Sequence, residues 1–161
     1  MDAPIPADTT FWHVTPDLLG VLDRDGHFTQ TNPAWAHTLG YTAEQIQNRP
    51  FFDFLHPDDL AASKEGFAEI LDGTPVLNLV NRYRHADGSY RWLSWNAAPD
   101  GDKFFCSARD ITASKLTQTR LDRRNQEAQF REQFIAVLGH DLRNPVAAVN
   151  AARRLHVHDA A

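Results

Sequence analysis

The chain changes its hydrophobic rhythm near Asp110-Ile111-Thr112. Before that point, short strand-like runs alternate with short helical stretches; beyond it, one long helical pattern continues. Apolar and β-branched runs at 18–22, 27–31, 76–85, 90–97 and 103–111 predict five strands. Asp25-Gly26, Asp87-Gly88 and Asp100-Gly101 each separate two of these runs, as tight hairpin turns do. A fourth pair, Asp72-Gly73, closes a helix instead, with Gly73 suited to a left-handed cap.

Helix starts are legible between residues 31 and 71. Asn32-Pro33 predicts an N-cap followed by Pro at the first helical position. Thr42-Ala43-Glu44-Gln45 predicts a capping box. His56-Pro57-Asp58-Asp59 predicts a first turn with Pro and two acids, His56 acting as the cap, leading into a helix that ends near Leu71. The order is strand, strand, short helices, then three strands able to pair as an antiparallel meander under helices on one face. The class is α+β with a five-stranded antiparallel sheet.

From Ala113 to the Gly at 139 the chain has no Gly or Pro and consists mostly of good helix formers. Leu121, Ala128, Ile135 and Leu142 recur every seven residues, the seam of a parallel coiled coil. The companion positions include Arg124 and Arg131, while Phe130, Phe134 and Val137 widen the apolar stripe. Two arrangements fit: a weak dimeric coiled coil passing into a helical bundle, or a single amphipathic helix folded on its own domain.

That helix contains Phe134-Ile135-Ala136-Val137-Leu138-Gly139-His140-Asp141-Leu142-Arg143-Asn144-Pro145. Positions i and i+4 share a helical face, so His140 and Asn144 project together, and Asp141 is near enough to fix the imidazole tautomer. A carboxylate on Nδ1–H leaves Nε2 as the lone-pair nitrogen and stabilises the charge that develops when it attacks. Pro145 gives no N–H to the carbonyl of Asp141, which predicts a bend after this turn.

Composition narrows the class. Apolar content of 42% and charged content of 23% are those of a globular chain. No apolar run approaches the roughly 20 residues of a membrane span, and Met1-Asp2-Ala3-Pro4 lacks a secretory pattern. The lone Cys106 allows no internal disulfide, fits a reducing cytoplasm and reads as a buried thiol. Residues 1–112 carry 8 Lys+Arg against 16 Asp+Glu, and residues 113–161 carry 8 against 5. The basic tail forms no concentrated stripe, which argues against nucleic acid as a partner. His13, His27, His37 and His85 show no metal-ligand spacing, and His156 with His158 is only a weak signal, so no metal site is assigned.

Six strings in order resemble a PAS domain. They are Leu22-Asp23-Arg24-Asp25-Gly26, Thr31-Asn32-Pro33-Ala34-Trp35, Leu39-Gly40-Tyr41-Thr42, His56-Pro57-Asp58-Asp59, Tyr83-Arg84-His85-Ala86-Asp87-Gly88-Ser89-Tyr90-Arg91-Trp92 and Arg109-Asp110-Ile111-Thr112. The resemblance implies a PAS fold followed by a long signalling helix, with the Asp-Ile-Thr end of the last strand as the exit to that helix. It leaves the PAS ligand unknown. Photoactive flavin members carry a Cys in an Asn-Cys-Arg-Phe-type segment, whereas Asn48-Arg49-Pro50-Phe51-Phe52 has none. Haem-binding members carry an axial His on the long helix, and residues 57–71 contain none. Phe51, Phe52, Phe54, Trp92, Trp95, Phe104 and Phe105 line an apolar pocket on one reading and simply form the core on the other.

The string at 134–145 resembles the H-box of sensor histidine kinases, with Gly139 where many members have Ser and Asp141 where many have Glu. The resemblance implies His140 as phosphoacceptor, Asp141 as its activating base, and Asn144 in phosphatase and transfer chemistry. It divides the chain into an N-terminal extension or cap helix at 1–16, a PAS sensor at 17–112, a helical linker at 113–133, and a truncated dimerisation and phosphotransfer helix at 134–161. The implied partners are a second copy through the PAS unit and helix, and the receiver domain of a response regulator. A separate ATP-binding kinase domain would bring ATP and Mg²⁺. The eight glycines never lie closer than six residues apart, so no Gly-x-Gly phosphate loop occurs and the chain alone is expected to be inactive. The ending at 155–161 departs from the helical pattern, which predicts an artificial boundary or truncated frame. Two functions from different classes result: the sensory and phosphoacceptor part of a cytoplasmic histidine kinase, or a non-catalytic PAS ligand-binding or dimerisation module. A metal-dependent hydrolase lacks its ligand pair.

Overall fold

The structure is a computed structural model that describes the backbone of residues 10–158 and the side chains of residues 10–140. It divides into two compact units, Met1–Lys115 and Leu116–Ala161.

In the first unit, α1 (Thr10–Val14) precedes the hairpin β1 (Leu18–Leu22) and β2 (Phe28–Thr31). Then come α2 (Ala34–Leu39), α3 (Ala43–Gln47), two 3₁₀ turns (Phe51–Phe54 and Pro57–Asp59) and α4 (Leu60–Leu71). The meander β3 (Val76–Arg84), β4 (Tyr90–Asp100) and β5 (Lys103–Asp110) follows, and α5 (Thr112–His158) begins two residues after β5 ends. The sheet order is β2-β1-β5-β4-β3, with every neighbour antiparallel. β1 is internal, hydrogen-bonded on both sides, and its near-continuous apolar sequence suits that place.

The Asp-Gly turns form for the expected reason. At Asp25-Gly26 the carboxylate of Asp23 accepts from the backbone N–H groups of Asp25 and His27, and Gly26 takes φ +87°. Thr42 and Gln45 form the reciprocal capping box. β4 runs past residue 97, beyond the expected strand. Its extension pairs only with β5, and the free edge tolerates Pro99. β3 carries a bulge between Val76 and Leu79, where Asn78 adopts φ +56° and its N–H donates to Oδ1 of Asn96.

One expected cap is absent. Asn32 makes no side-chain cap for α2. Its carboxamide instead accepts from the N–H of Leu19 and donates to the carbonyls of Trp12 and Asp17, tying β1 to the segment before it. The longer-range demand wins because one carboxamide serves three partly buried backbone groups at once.

The helices cover one face of the sheet, α2 against β1, α3 against β2, and α4 against β3 and β4. Trp35, Tyr83, Phe104, Leu18, Leu39, Ile46 and Leu93 are fully buried between them. The Nε1–H of Trp35 donates to the carbonyl of Leu19 at 2.9 Å, so this large ring enters the core with its polar atom satisfied.

The second unit is the body of α5. The helix is continuous through Pro145 to His158, so residues 155–158, expected outside the helical pattern, are helical. Among the described residues of this unit every side chain is exposed, including Leu121, Phe130, Phe134, Ile135, Val137 and Leu138.

Candidate functional site

Between α4 and the sheet lies a cavity of about 50 Å³. Phe28, Phe51, Phe67, Ile70, Leu79 and Trp95 supply much of its apolar wall. Its polar wall is a short network. The Nδ2–H of Asn81 donates to Oγ of Ser63 at 3.1 Å, and Nε1–H of Trp95 donates to Oδ1 of Asn81 at 2.9 Å. These groups satisfy one another, so an occupant would be selected mainly by shape and apolar contact. Burial pushes the phenol of Tyr83, on the same wall, well above its ordinary pKa and keeps it neutral.

The cavity is far smaller than the roughly 300–1,000 Å³ of sites for drug-sized ligands. A larger occupant therefore requires a wall to move, and α4 supplies Ser63, Gly66, Phe67 and Ile70 to that wall. Helix and strand now meet closely at Gly66, where a Cβ would lie 3.2 Å from Cδ2 of Leu79.

The aromatic set that the sequence allows as either pocket lining or core is only partly assembled at the cavity. Of its seven residues, Phe51 and Trp95 line the cavity, while Phe54 and Phe104 are buried in the core. Phe52 is half-buried against that core. Phe105 is 43% exposed and borders a groove formed with Leu19, Leu77 and Ala98. Trp92 lies beside the cations of Arg82 and Lys115, outside the cavity lining. Cys106 is buried, and desolvation pushes its thiol up to about 12, so it is held protonated.

The start of α4 is fastened to β3. The guanidinium of Arg82 grips Asp59 through Nε to Oδ2 and Nη2 to Oδ1, both at 2.8 Å. The backbone N–H of Arg82 donates to Oδ2 of the same carboxylate at 2.8 Å. These contacts hold the Asp59 carboxyl below the usual carboxylate range. His56 caps the turn as expected, with Nδ1 accepting from the N–H of Asp58. Asp59 was expected only to complement the helix dipole; its principal partner lies 23 residues away. Asp59, Arg82, Ser63 and Asn81 were not singled out as a group by sequence. The clue was strand alternation, with Asn81 and Tyr83 facing inward and Arg82 between them.

His140 lies on α5 with its side chain exposed. Asp141 and Asn144 are on the same helix, and their side chains lie outside the described residues. The weak His156 and His158 signal likewise falls on side chains outside the described residues. Among the described residues, no group of three or more His, Cys, Asp or Glu side chains could hold a metal ion. No described helix is long and apolar enough to cross a membrane.

The family described as PAS fold (PAS_3) matches residues 28–103. The chain is 32% identical over 74 residues to an aryl hydrocarbon receptor nuclear translocator homolog of Drosophila melanogaster, covering 45% of this chain and 12% of that protein. It is 27% identical over 99 residues to the aerotaxis receptor of Escherichia coli, covering 61% of this chain and 18% of that protein. The chain thus spans less than a fifth of either relative. A solved domain of a sensory box sensor histidine kinase/response regulator from Geobacter sulfurreducens superposes with a TM-score of 0.56 at 21% identity. That match covers 62% of this chain and 88% of that one, and shows the shared fold. The strand order, the helices over one face and the match at residues 28–103 together show that the first unit has a PAS fold.

Proposed function

We propose that this chain is the sensory and phosphoacceptor portion of a cytoplasmic two-component sensor histidine kinase. The observation that carries the reading is an exposed His140 within the string 134–145, on a helix that starts two residues after the PAS sheet ends. The input is read at the cavity under α4, and the output is the availability of His140.

Nε2 of His140 attacks the γ-phosphorus of ATP. A P–N bond forms as the bond to the ADP oxygen breaks, and ADP leaves. Asp141 holds Nδ1–H and offsets the imidazolium charge, while Asn144 serves the reverse and onward reactions. The phosphoryl group then passes to an Asp of a response-regulator receiver domain. ATP and Mg²⁺ come with a separate kinase domain. Two copies pair through the PAS unit and α5, whose exposed Phe130, Phe134 and Ile135 supply an apolar stripe.

The test is phosphotransfer from γ-labelled ATP by an intact histidine-kinase catalytic domain of this family. Label is expected on the wild-type chain and absent from His140→Gln. Equal labelling of both, or labelling of neither, overturns the assignment.

A further inference from the structure

The PAS unit holds a second connection between α4 and α5, distinct from the strand that leads directly into the helix. Arg82 and Trp92 face each other across the β3–β4 ladder, and Cζ of Arg82 lies 4.8 Å from the Trp92 ring centroid. The other end of the guanidinium holds Asp59, the residue before α4, and the Arg82 carbonyl accepts from the N–H of His56 at 2.9 Å. Trp92 is equally committed toward α5. Its backbone N–H donates to Oγ1 of Thr112 at 2.9 Å, its carbonyl accepts from the N–H of Ile111 at 2.8 Å, and Nζ of Lys115 lies 5.0 Å from its ring. Both cations are within the roughly 6 Å at which an indole attracts a positive charge.

We propose that Arg82 is a positioning residue that joins the start of α4 to the start of α5 through Trp92, so that displacement of α4 is read at residues 111–115. The inference rests on the reading of the cavity as the input to α5 and uses no property of His140. A larger occupant lifts α4, and Asp59 moves with it. Arg82 follows because its fork is bound to both carboxylate oxygens. Its withdrawal frees the Trp92 ring, and the hydrogen bonds of the Trp92 backbone to Ile111 and to the Thr112 hydroxyl, which seat α5, loosen. The route has three side-chain steps, each a direct contact: Asp59 to Arg82, Arg82 to Trp92, and Trp92 to Lys115. Ring contacts of this kind are weak enough to shift under a modest push, which a rigid backbone ladder resists.

Amide hydrogen exchange on the whole chain tests the relay. Asp59→Asn is expected to speed exchange at the Ile111 and Lys115 amides at least threefold beyond any change in β1, which is paired on both sides. Exchange that is unchanged, or raised only by the factor seen in β1, overturns the proposal. Coupling is reciprocal. The exposed Lys115→Gln, which leaves the core intact, is therefore expected to speed exchange of the Arg82 amide about twofold, and no change there also overturns it. In a Trp92→Leu background, Asp59→Asn should have no further effect on Ile111 and Lys115; a full additional effect removes Trp92 from the route. A negative phosphotransfer result with this exchange pattern intact would reject the kinase reading alone.

Discussion

Trp35 and Phe134 are both aromatic residues on helices, and they meet opposite fates. Trp35 is 1% exposed, with its ring edge-on to Phe28 at 4.7 Å and its N–H satisfied by Leu19. Phe134 is 56% exposed, and its ring neighbour among the described residues is Phe130 on the preceding turn of the same helix. The first unit completes its hydrophobic core within one chain. The described part of α5 leaves its apolar residues in water, where burying each one would stabilise a paired state by about 1.5–3 kcal/mol. The domain's core is thus complete within the chain, while the proposed pairing of α5 would add stability to the helix.

The sharpest way to break this contrast is matched deletion. Trp35→Ala should cost about 3–5 kcal/mol in urea unfolding, since it removes both a buried ring and its hydrogen bond. Phe134→Ala should stay within about 0.5 kcal/mol when unfolding is followed by the signal of the PAS core. Equal costs would mean that Phe134 is buried in solution against the same chain.

A second measurement addresses association directly. Ile135 lies on the seven-residue seam and is exposed in the single chain. Ile135→Asp should raise the dimer dissociation constant at least about tenfold, because a carboxylate cannot enter a paired apolar seam without losing hydration. Analytical ultracentrifugation over a concentration series reads this. Unchanged sedimentation of the variant would place the dimer contact elsewhere or remove it.

Much of the PAS unit was legible because its turns depend on local chemistry. Asp-Gly pairs and the Thr42–Gln45 box act over two to four residues, and the formed turns match them. What escaped acts over longer separations. Asn32 looked like a cap, but its carboxamide serves Trp12, Asp17 and Leu19. Trp92 looked like a pocket residue because it is aromatic. Strand alternation separates it from Leu93 and Trp95, and the same parity separates Phe105 from buried Phe104. The partnership of Asp59 with Arg82 depends on bringing a turn to a sheet edge, which no local pattern encodes. For the proposed phosphoacceptor site, the string around His140 was legible from local sequence alone, and the His140 side chain is exposed.

A third test compares the two units electrostatically. Asp59→Asn should destabilise the PAS unit by about 1–2 kcal/mol at neutral pH, as expected for losing charge-assisted hydrogen bonds at a partly exposed site. Arg82 lowers the folded-state pKa of Asp59 below its unfolded value. Its contribution is therefore complete above the unfolded value near 4, and is lost as pH falls through the lowered folded value. The wild-type and Asp59→Asn unfolding curves should converge in that acidic window. In contrast, the ion pair of Arg123 with Glu127 on α5 is exposed, and Glu127→Gln should change stability by no more than about 0.5 kcal/mol. A Glu127→Gln loss as large as that of Asp59→Asn would show that this part of α5 is desolvated in solution.

Gly66→Ala sets two opposing effects of similar size against each other. An interior helical Gly is unfavourable relative to Ala by about 0.8–1 kcal/mol, so the substitution should favour α4 by that amount. The new Cβ would sit 3.2 Å from Cδ2 of Leu79, closer than ordinary packing. That neighbour is the end of a flexible, half-buried side chain, and a few tenths of an ångström of movement relieves the contact. The two terms should leave net stability within about 0.5 kcal/mol of wild type, measured by urea unfolding. The cavity should respond more than the stability, because Gly66 and Leu79 both line it. On α5, Gly139 has open space where a Cβ would stand, so Gly139→Ala should show the helical gain without opposition. If Gly66→Ala stabilises as much as Gly139→Ala raises helicity, then α4 is not held close to the sheet. A Gly66→Ala loss above about 2 kcal/mol would instead show that Leu79 cannot move and that the wall under α4 is rigid.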